Sequence, residues 1–282
     1  MAGAWRTRVD FRRGWPFAAA AMACCIAIAQ APNRIPDPVA PPRAPGSAVR
    51  IELVGDSTLS PTFGYGDGFC ANVTPAADCI SMAKGGTSSK TYRDQGIWAK
   101  ALESKPDYMV IQFGHNDVPT PARMDRETTM EEYAANMNRF VTDARAAGIT
   151  PVLVTPLSRR FFGPDNRIHS DLEPYAAAVR AIASQKQVPL IDLHAESVAY
   201  LDRLGPDAQR LVSGRTRKTP LGEMVPDKTH LNVFGGYTFG RMVAVDLGKA
   251  VPKLQPYVKP EAAPIPGGQA AQNKPETTAS PQ

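Results

Sequence analysis

The chain has 282 residues, with 32 Lys and Arg against 27 Asp and Glu, a formal charge of +5. So small an excess gives no reason to invoke nucleic acid as a partner. No internal repeat is evident, which sets aside solenoids and arrays.

Residues 1–31 read as an export signal. Arg6, Arg8, Arg12 and Arg13 precede the apolar run WPFAAAAMACCIAIA, and Ala27-Ile28-Ala29 or Ala29-Gln30-Ala31 offers a small-residue cleavage site. The run is too short and too rich in alanine for a membrane span, which needs about 20 apolar residues. An uncleaved anchor is the competing reading. Arg12-Arg13 also raises twin-arginine export and Cys24 raises lipidation, but the residues around each fit those signals poorly. Removal of the signal takes away four arginines and one aspartate, leaving a formal charge of +2, and leaves Cys70 and Cys79 as the only thiols. In an exported protein two such cysteines closing a short loop read as a disulfide. Two unpaired residues are the alternative, and two thiols alone make no complete zinc site. The expected location is periplasmic or secreted.

Residues 32–47 are Pro-rich and predict an extended linker. Residues 255–282 hold Pro, Ala, Gln and Thr with almost no large apolar side chains, so a disordered tail is expected there. Between them, 48–254 has the length of one domain. Strands are predicted at 49–54, 79–83, 108–113, 151–155 and 188–192. In the first, Val49, Ile51 and Leu53 alternate with Arg50 and Glu52, the pattern of a strand with one face buried. Helices are predicted over 130–148, 171–187 and 233–251, the last capped by Asn232. The alternation of strands and helices, with nearly continuous apolar runs at YMVIQF and VLV, predicts a three-layer α/β/α sandwich on a parallel sheet.

Each predicted strand runs into an unusual cluster: GDST, KGGTSSKTY, GHND, TPLSRRFF and DLH. Ligands bind at the carboxyl edge of open parallel sheets, because right-handed crossovers bring these loops to one side. Ser57, at a turn from strand to helix, is a nucleophile candidate, with a helix cap as its plain alternative. A serine needs a base. The histidines are His115, His169, His194 and His230, and Asp227 precedes His230 by three residues. That spacing lets a carboxylate reach Nδ1 of the ring and leaves Nε2 to take a serine proton; a surface loop before the last helix is the alternative. Gly85-Gly86 and Asn116 offer donors for a developing oxyanion, and each could equally serve a turn.

GDST, Gly86 in GGTSSKTY, Asn116 in GHND and DKTH follow the four-block order of the SGNH (GDSL-like) hydrolases. QFGHND, TPLSRR and DKTHLN further resemble the rhamnogalacturonan acetylesterases of that superfamily, and the resemblance spans nearly all of 49–250. It implies a flavodoxin-like parallel sheet and a serine esterase. Ser57 would be the nucleophile, His230 the base and Asp227 the orienting acid, with Ser57, Gly86 and Asn116 as oxyanion donors. The family's usual nucleophile block ends in Leu, where this chain has Thr58 and then Leu59, a variation typical of the pectin branch.

The expected substrate is an acetylated polysaccharide, most directly pectic rhamnogalacturonan, with xylan or a bacterial surface glycan as alternatives. Arg159, Arg160, Lys84, Lys90 and Arg93 are expected at the rim, where they would attract galacturonate; an ordinary solvated basic rim is the alternative. No cofactor and no metal are required. A dinuclear metal hydrolase would want an Asp-x-His pair at the first strand, where only Asp56 stands. A noncatalytic polysaccharide-binding module is a further rival. A monomer with no stable membrane partner is expected.

Overall fold

The computed structural model describes residues 36–120, 125–219 and 221–266. The signal read at 1–31 lies outside them, as does most of the predicted tail. Five strands form one parallel sheet: β1 (Val49–Gly55), β2 (Ala77–Ser81), β3 (Tyr108–Gln112), β4 (Thr150–Val154) and β5 (Leu190–Ile191), in the spatial order β2-β1-β3-β4-β5. This is the flavodoxin-like order, and it puts every strand's carboxyl end at one edge. The helices are α1 (Gly66–Ala71), α2 (Ser89–Asp94), α3 (Ile97–Glu103), α4 (Met130–Ala146), α5 (Glu173–Lys186), α6 (Leu193–Leu204), α7 (Ala208–Val212) and α8 (Val233–Ala250). A small antiparallel hairpin of β6 (Thr216–Lys218) and β7 (Met224–Pro226) stands apart from the sheet.

Two apolar clusters make the three layers. On one face Ile51, Leu53, Val110, Val152 and Ile191 pack with Phe69, Leu201, Val212, Phe239 and Val243. On the other, Val54, Met109, Ile111 and Leu153 meet Tyr92, Trp98, Tyr133, Phe140 and Val179. The long helices carry their predicted stops and starts. Thr129 and Glu132 form a reciprocal capping box ahead of α4. Gln187 ends α5 in the left-handed region at φ +51°, and the Asn232 side chain accepts the Gly235 N–H at 2.8 Å to open α8.

Several expectations need correcting. β1 is buried along its whole length, not on one face. Arg50 is covered through an ion pair from its Nε to Asp78 Oδ2 at 2.7 Å, and Glu52 through a hydrogen bond from the Ser104 hydroxyl. β5 shrinks to two residues: Pro189 before it has no N–H to offer the ladder, and Asp192 after it already caps α6. Residues 36–47 form no helix or strand, and they are not a free linker: Asp37 pairs with Lys84 and Lys100, and Arg43 with Asp107. The domain does not stop at 254. A 3-10 segment, Pro252–Tyr257, leads to buried Val258, which bridges to Val73, and the Lys259 N–H donates to the Asn72 carbonyl at 2.9 Å. Cys70 at the end of α1 is disulfide-bonded to Cys79 in β2, with Cα atoms 5.5 Å apart.

Helices α1 and α8 meet backbone to backbone. A Cβ on Gly68 would overlap the Gly236 carbonyl oxygen, and one on Gly240 would overlap the Phe69 nitrogen. This explains glycines in helices whose propensity they lower. Gly240→Ala is expected to lower stability by roughly 1–3 kcal/mol through overpacking, read from urea midpoints at unchanged m-value.

Glu52 supplies a pH signature. Burial raises its carboxyl from 4.5 to about 7, against the opposing pull of Ser104 and Arg50. The folded state therefore holds this proton more tightly than the unfolded chain does. Stability from this source is intact below about 4.5 and falls as pH rises through about 7, by at most about 3 kcal/mol. Glu52→Gln should flatten that fall, so the difference between urea midpoints at pH 5 and pH 8 shrinks.

Candidate active site

After β1 the chain turns sharply, and the turn is fixed from within. Asp56, fully buried, accepts the Thr58 N–H at 2.8 Å and the Thr58 hydroxyl at 2.7 Å on Oδ1. Thr58 Oγ1 in turn accepts from Gln112 Nε2 at 2.6 Å, and Gln112 Oε1 accepts from Tyr65 at 3.0 Å. Burial alone would push the Asp56 carboxyl up. The His115 ring, whose Nδ1 lies 3.7 Å from Oδ2, and the Thr58 donors outweigh it and hold the group below its ordinary value. The helix expected directly after Ser57 does not form there. Leu59 and Ser60 donate back to the Asp56 and Ser57 carbonyls in successive tight turns, and α1 begins only at Gly66.

Ser57 meets the loop before α8. His230 Nε2 lies 2.9 Å from Ser57 Oγ, and His230 Nδ1 lies 2.7 Å from Asp227 Oδ2. The other oxygen, Asp227 Oδ1, accepts the N–H of Thr229 at 2.8 Å and of His230 at 2.9 Å. Half-burial would raise the Asp227 carboxyl, but the His230 ring and these two N–H groups pull it well below the usual range. The carboxylate stays ionised and oriented, the serine is 8% exposed, and the His230 side chain is 28% exposed. A base aligned on one side by a carboxylate and on the other by a hydroxyl can move the hydroxyl proton.

The loops after β2 and β3, the two neighbours of β1, flank this turn. Gly86 sits at φ +80°, a conformation that L side chains rarely adopt, and the Arg126 Nη1 lies 2.9 Å from where its Cβ would be. Asn116 is buried and its Nδ2 donates to the Thr87 carbonyl at 2.9 Å, which ties the two loops together. Next to it, burial raises Asp117 to about 6 despite donors from Ser89 and Thr128.

The basic residues expected at the rim are placed differently. Arg160 is 1% exposed and Arg159 9%, and both guanidinium groups turn inward onto main-chain carbonyls. Arg159 Nη2 donates to the His115 carbonyl at 2.6 Å while Nη1 pairs with Asp171. Lys84 is buried against Asp37, Arg93 donates to Asn136, and Lys90 is exposed beside Asp94 one turn along α2. The loop after β4 is too tightly built to present its arginines to solvent. His194, at the start of α6, has Nδ1 3.0 Å from the Pro156 carbonyl oxygen, while Asp192 is engaged by Arg180 and Thr155. His169 is exposed beside Asp165.

Three side chains at the site carry no sequence signal. Phe63 packs its ring edge against His230, centroids 5.7 Å apart, and Arg215 lies 4.5 Å over the Phe63 ring. Arg126 covers Gly86. None belongs to a periodic segment or a spaced motif, and only the folded loops bring them here.

A parallel 2-1-3-4-5 sheet covered by helices on both faces, with Ser57, His230 and Asp227 in one hydrogen-bonded line at its carboxyl edge, defines a three-layer α/β/α protein of the SGNH kind. Residues 53–235 match the GDSL-like Lipase/Acylhydrolase family, and the chain belongs to that family. Within it the chain is similar to the rhamnogalacturonan acetylesterases. It is 30% identical to rhamnogalacturonan acetylesterase RhgT of Bacillus subtilis (strain 168), over 70% of this chain and 88% of RhgT. It is 29% identical to the probable rhamnogalacturonan acetylesterase YesY of the same organism, over 70% of this chain and 91% of YesY. Among solved structures, YxiM of Bacillus subtilis superposes with a TM-score of 0.61 at 24% identity, covering 73% of this chain and 57% of YxiM. The acetylxylan esterase Axe2 of Geobacillus stearothermophilus superposes with a TM-score of 0.53 at 17% identity, covering 73% and 94%. These two likenesses speak to the fold.

Proposed function

We propose that the protein is a serine esterase that removes O-acetyl groups from a polysaccharide, most directly pectic rhamnogalacturonan. The observation that carries the chemistry is the unbroken line Asp227 Oδ2, His230 Nδ1, His230 Nε2, Ser57 Oγ, with both contacts under 3 Å. His230 takes the Ser57 proton as Oγ attacks the acetyl carbonyl, and Asp227 stabilises the imidazolium that forms. The oxyanion is received by the N–H groups of Ser57 and Gly86 and by the Asn116 amide. His230 returns the proton to the departing sugar oxygen, leaving an acetyl-enzyme. Water, deprotonated by the same ring, then releases acetate and restores Ser57.

The substrate class is supported by the names of the relatives at 29–30% identity. Phe63, 38% exposed beside His230, leaves part of an aromatic side chain open next to the site, although Arg215 lies over its ring. The Cys70–Cys79 disulfide suits an oxidising compartment, in keeping with an export signal at the N-terminus. No helix among the described residues is long and apolar enough to cross a membrane.

The test is acetate release from acetylated rhamnogalacturonan, acetylated xylan and an aryl acetate, with and without chelator. The wild-type protein should prefer the pectic polymer and ignore chelator. Cleavage of the aryl acetate alone would keep the esterase and remove pectin. Polymer binding without any cleavage would favour a noncatalytic module. Ser57→Ala should lower turnover by about 10³-fold or more, and Asp227→Asn by about 10²–10⁴-fold, in initial-rate measurements on the aryl acetate.

A further inference from the structure

Arg160 has the most unusual surroundings of any cation among the described residues. It stands just after β4, and its side chain is one of the largest that is fully buried. Among the described residues it forms no ion pair with a carboxylate. Residue 160 instead meets four consecutive main-chain carbonyls of the loop that holds Asp227 and His230, three through the guanidinium and one through its own N–H. The Arg160 N–H donates to Lys228 at 3.0 Å, Nη2 donates to Asp227 at 3.0 Å and to His230 at 2.7 Å, and Nη1 reaches Thr229 at 3.4 Å. Nε donates to Gln209 Oε1 at 2.8 Å, and Gln209 Nε2 donates to the same Asp227 carbonyl at 2.7 Å.

Burying a cation without a counter-ion is costly, so a purely structural position would favour an apolar side chain of similar size. Burial lowers the guanidinium to about 10, and the charge of Asp227 opposes the shift, so the group stays charged at neutral pH. The return for that cost lies in the peptide dipoles. Three carbonyl oxygens gathered around one group repel each other unless a cation with a fork of donors sits there. With the carbonyls drawn to Arg160, the N–H groups of Thr229 and His230 are left for Asp227 Oδ1. That pair of bonds leaves Oδ2 for the His230 ring.

We propose that Arg160 is a positioning residue for the reaction: it sets the peptide planes of 227–230 and thereby aims Asp227 and His230 at Ser57. This rests on the reading of those three residues as nucleophile, base and orienting acid. The fork is what matters, since lysine keeps the charge but cannot donate to three carbonyls in one plane.

Arg160→Lys and Gln209→Ala should be measured on an aryl acetate for kcat and KM, together with the melting temperature and the rate at which a fluorophosphonate labels Ser57. Arg160→Lys is expected to keep KM within about twofold, while kcat and the labelling rate fall together by about 10–100-fold in protein that is still folded at the assay temperature. Gln209→Ala, which frees one edge of the fork on a half-exposed helix, should show the same split on a smaller scale of about 3–10-fold. Wild-type kcat in folded Arg160→Lys would overturn the proposal. So would losses that only follow the unfolded fraction in both variants. If Arg160→Lys does not fold, an unaltered kcat in Gln209→Ala overturns it. Turnover surviving in Ser57→Ala would instead overturn the assignment of the reacting residues.

Discussion

The close approach of α1 and α8 is the constraint on which the site depends. Ser57 and His230 are 173 residues apart, and no local interaction brings them together. The glycines that line both helices let the two backbones touch, which sets the distance between the turn ahead of α1 and the loop ahead of α8. A single added methyl group at Gly68 or Gly240 would move one helix against the other, and the Ser57–His230 contact of 2.9 Å would follow it. Packing precision of this kind is what sets three ordinary side chains in one hydrogen-bonded line.

Polar burial does the remaining work, and it is concentrated near the sheet edge. Asp56, Thr58, Gln112 and Tyr65 form one continuous chain of hydrogen bonds behind Ser57. Arg159 and Arg160, neighbours in sequence, reach in different directions from one loop: one to the carbonyl beside Asn116, the other to the carbonyls of 227–230. The segment after β4 thus touches both the loop of Asn116 and the loop of His230. Such networks are worth having only if satisfied throughout, because the same low dielectric that strengthens each bond punishes a missing one.

Much of this was legible in the amino-acid order, for physical reasons that also explain what was not. Runs such as YMVIQF announce a strand covered on both faces, and Thr129 with Glu132 announces a helix start, because the signals are local. Asp227 and His230 are legible as a pair because they stand three positions apart on one turn. β1 misled because Arg50 and Glu52 look like a solvent face, and only the tertiary partners Asp78 and Ser104 allow them to be covered. The arginines of TPLSRR misled in the same way. Charge is visible in a sequence, but whether it faces water or a ring of carbonyls depends on loops far away in the chain. Val258 was unreadable for the opposite reason: a single apolar residue in a Pro-rich stretch finds its place only when Val73 is there to receive it.

The wide separation of Ser57 from His230, set against the short one between Asp227 and His230, has a consequence in time. The acid and the base can pair as soon as their own turn forms, whereas the hydroxyl reaches them only when the last long helix has settled on the first. A chain still being synthesised therefore carries all three side chains but not the geometry that joins them. The line from Asp227 through His230 to Ser57 is therefore complete only where the two ends of the domain are packed together.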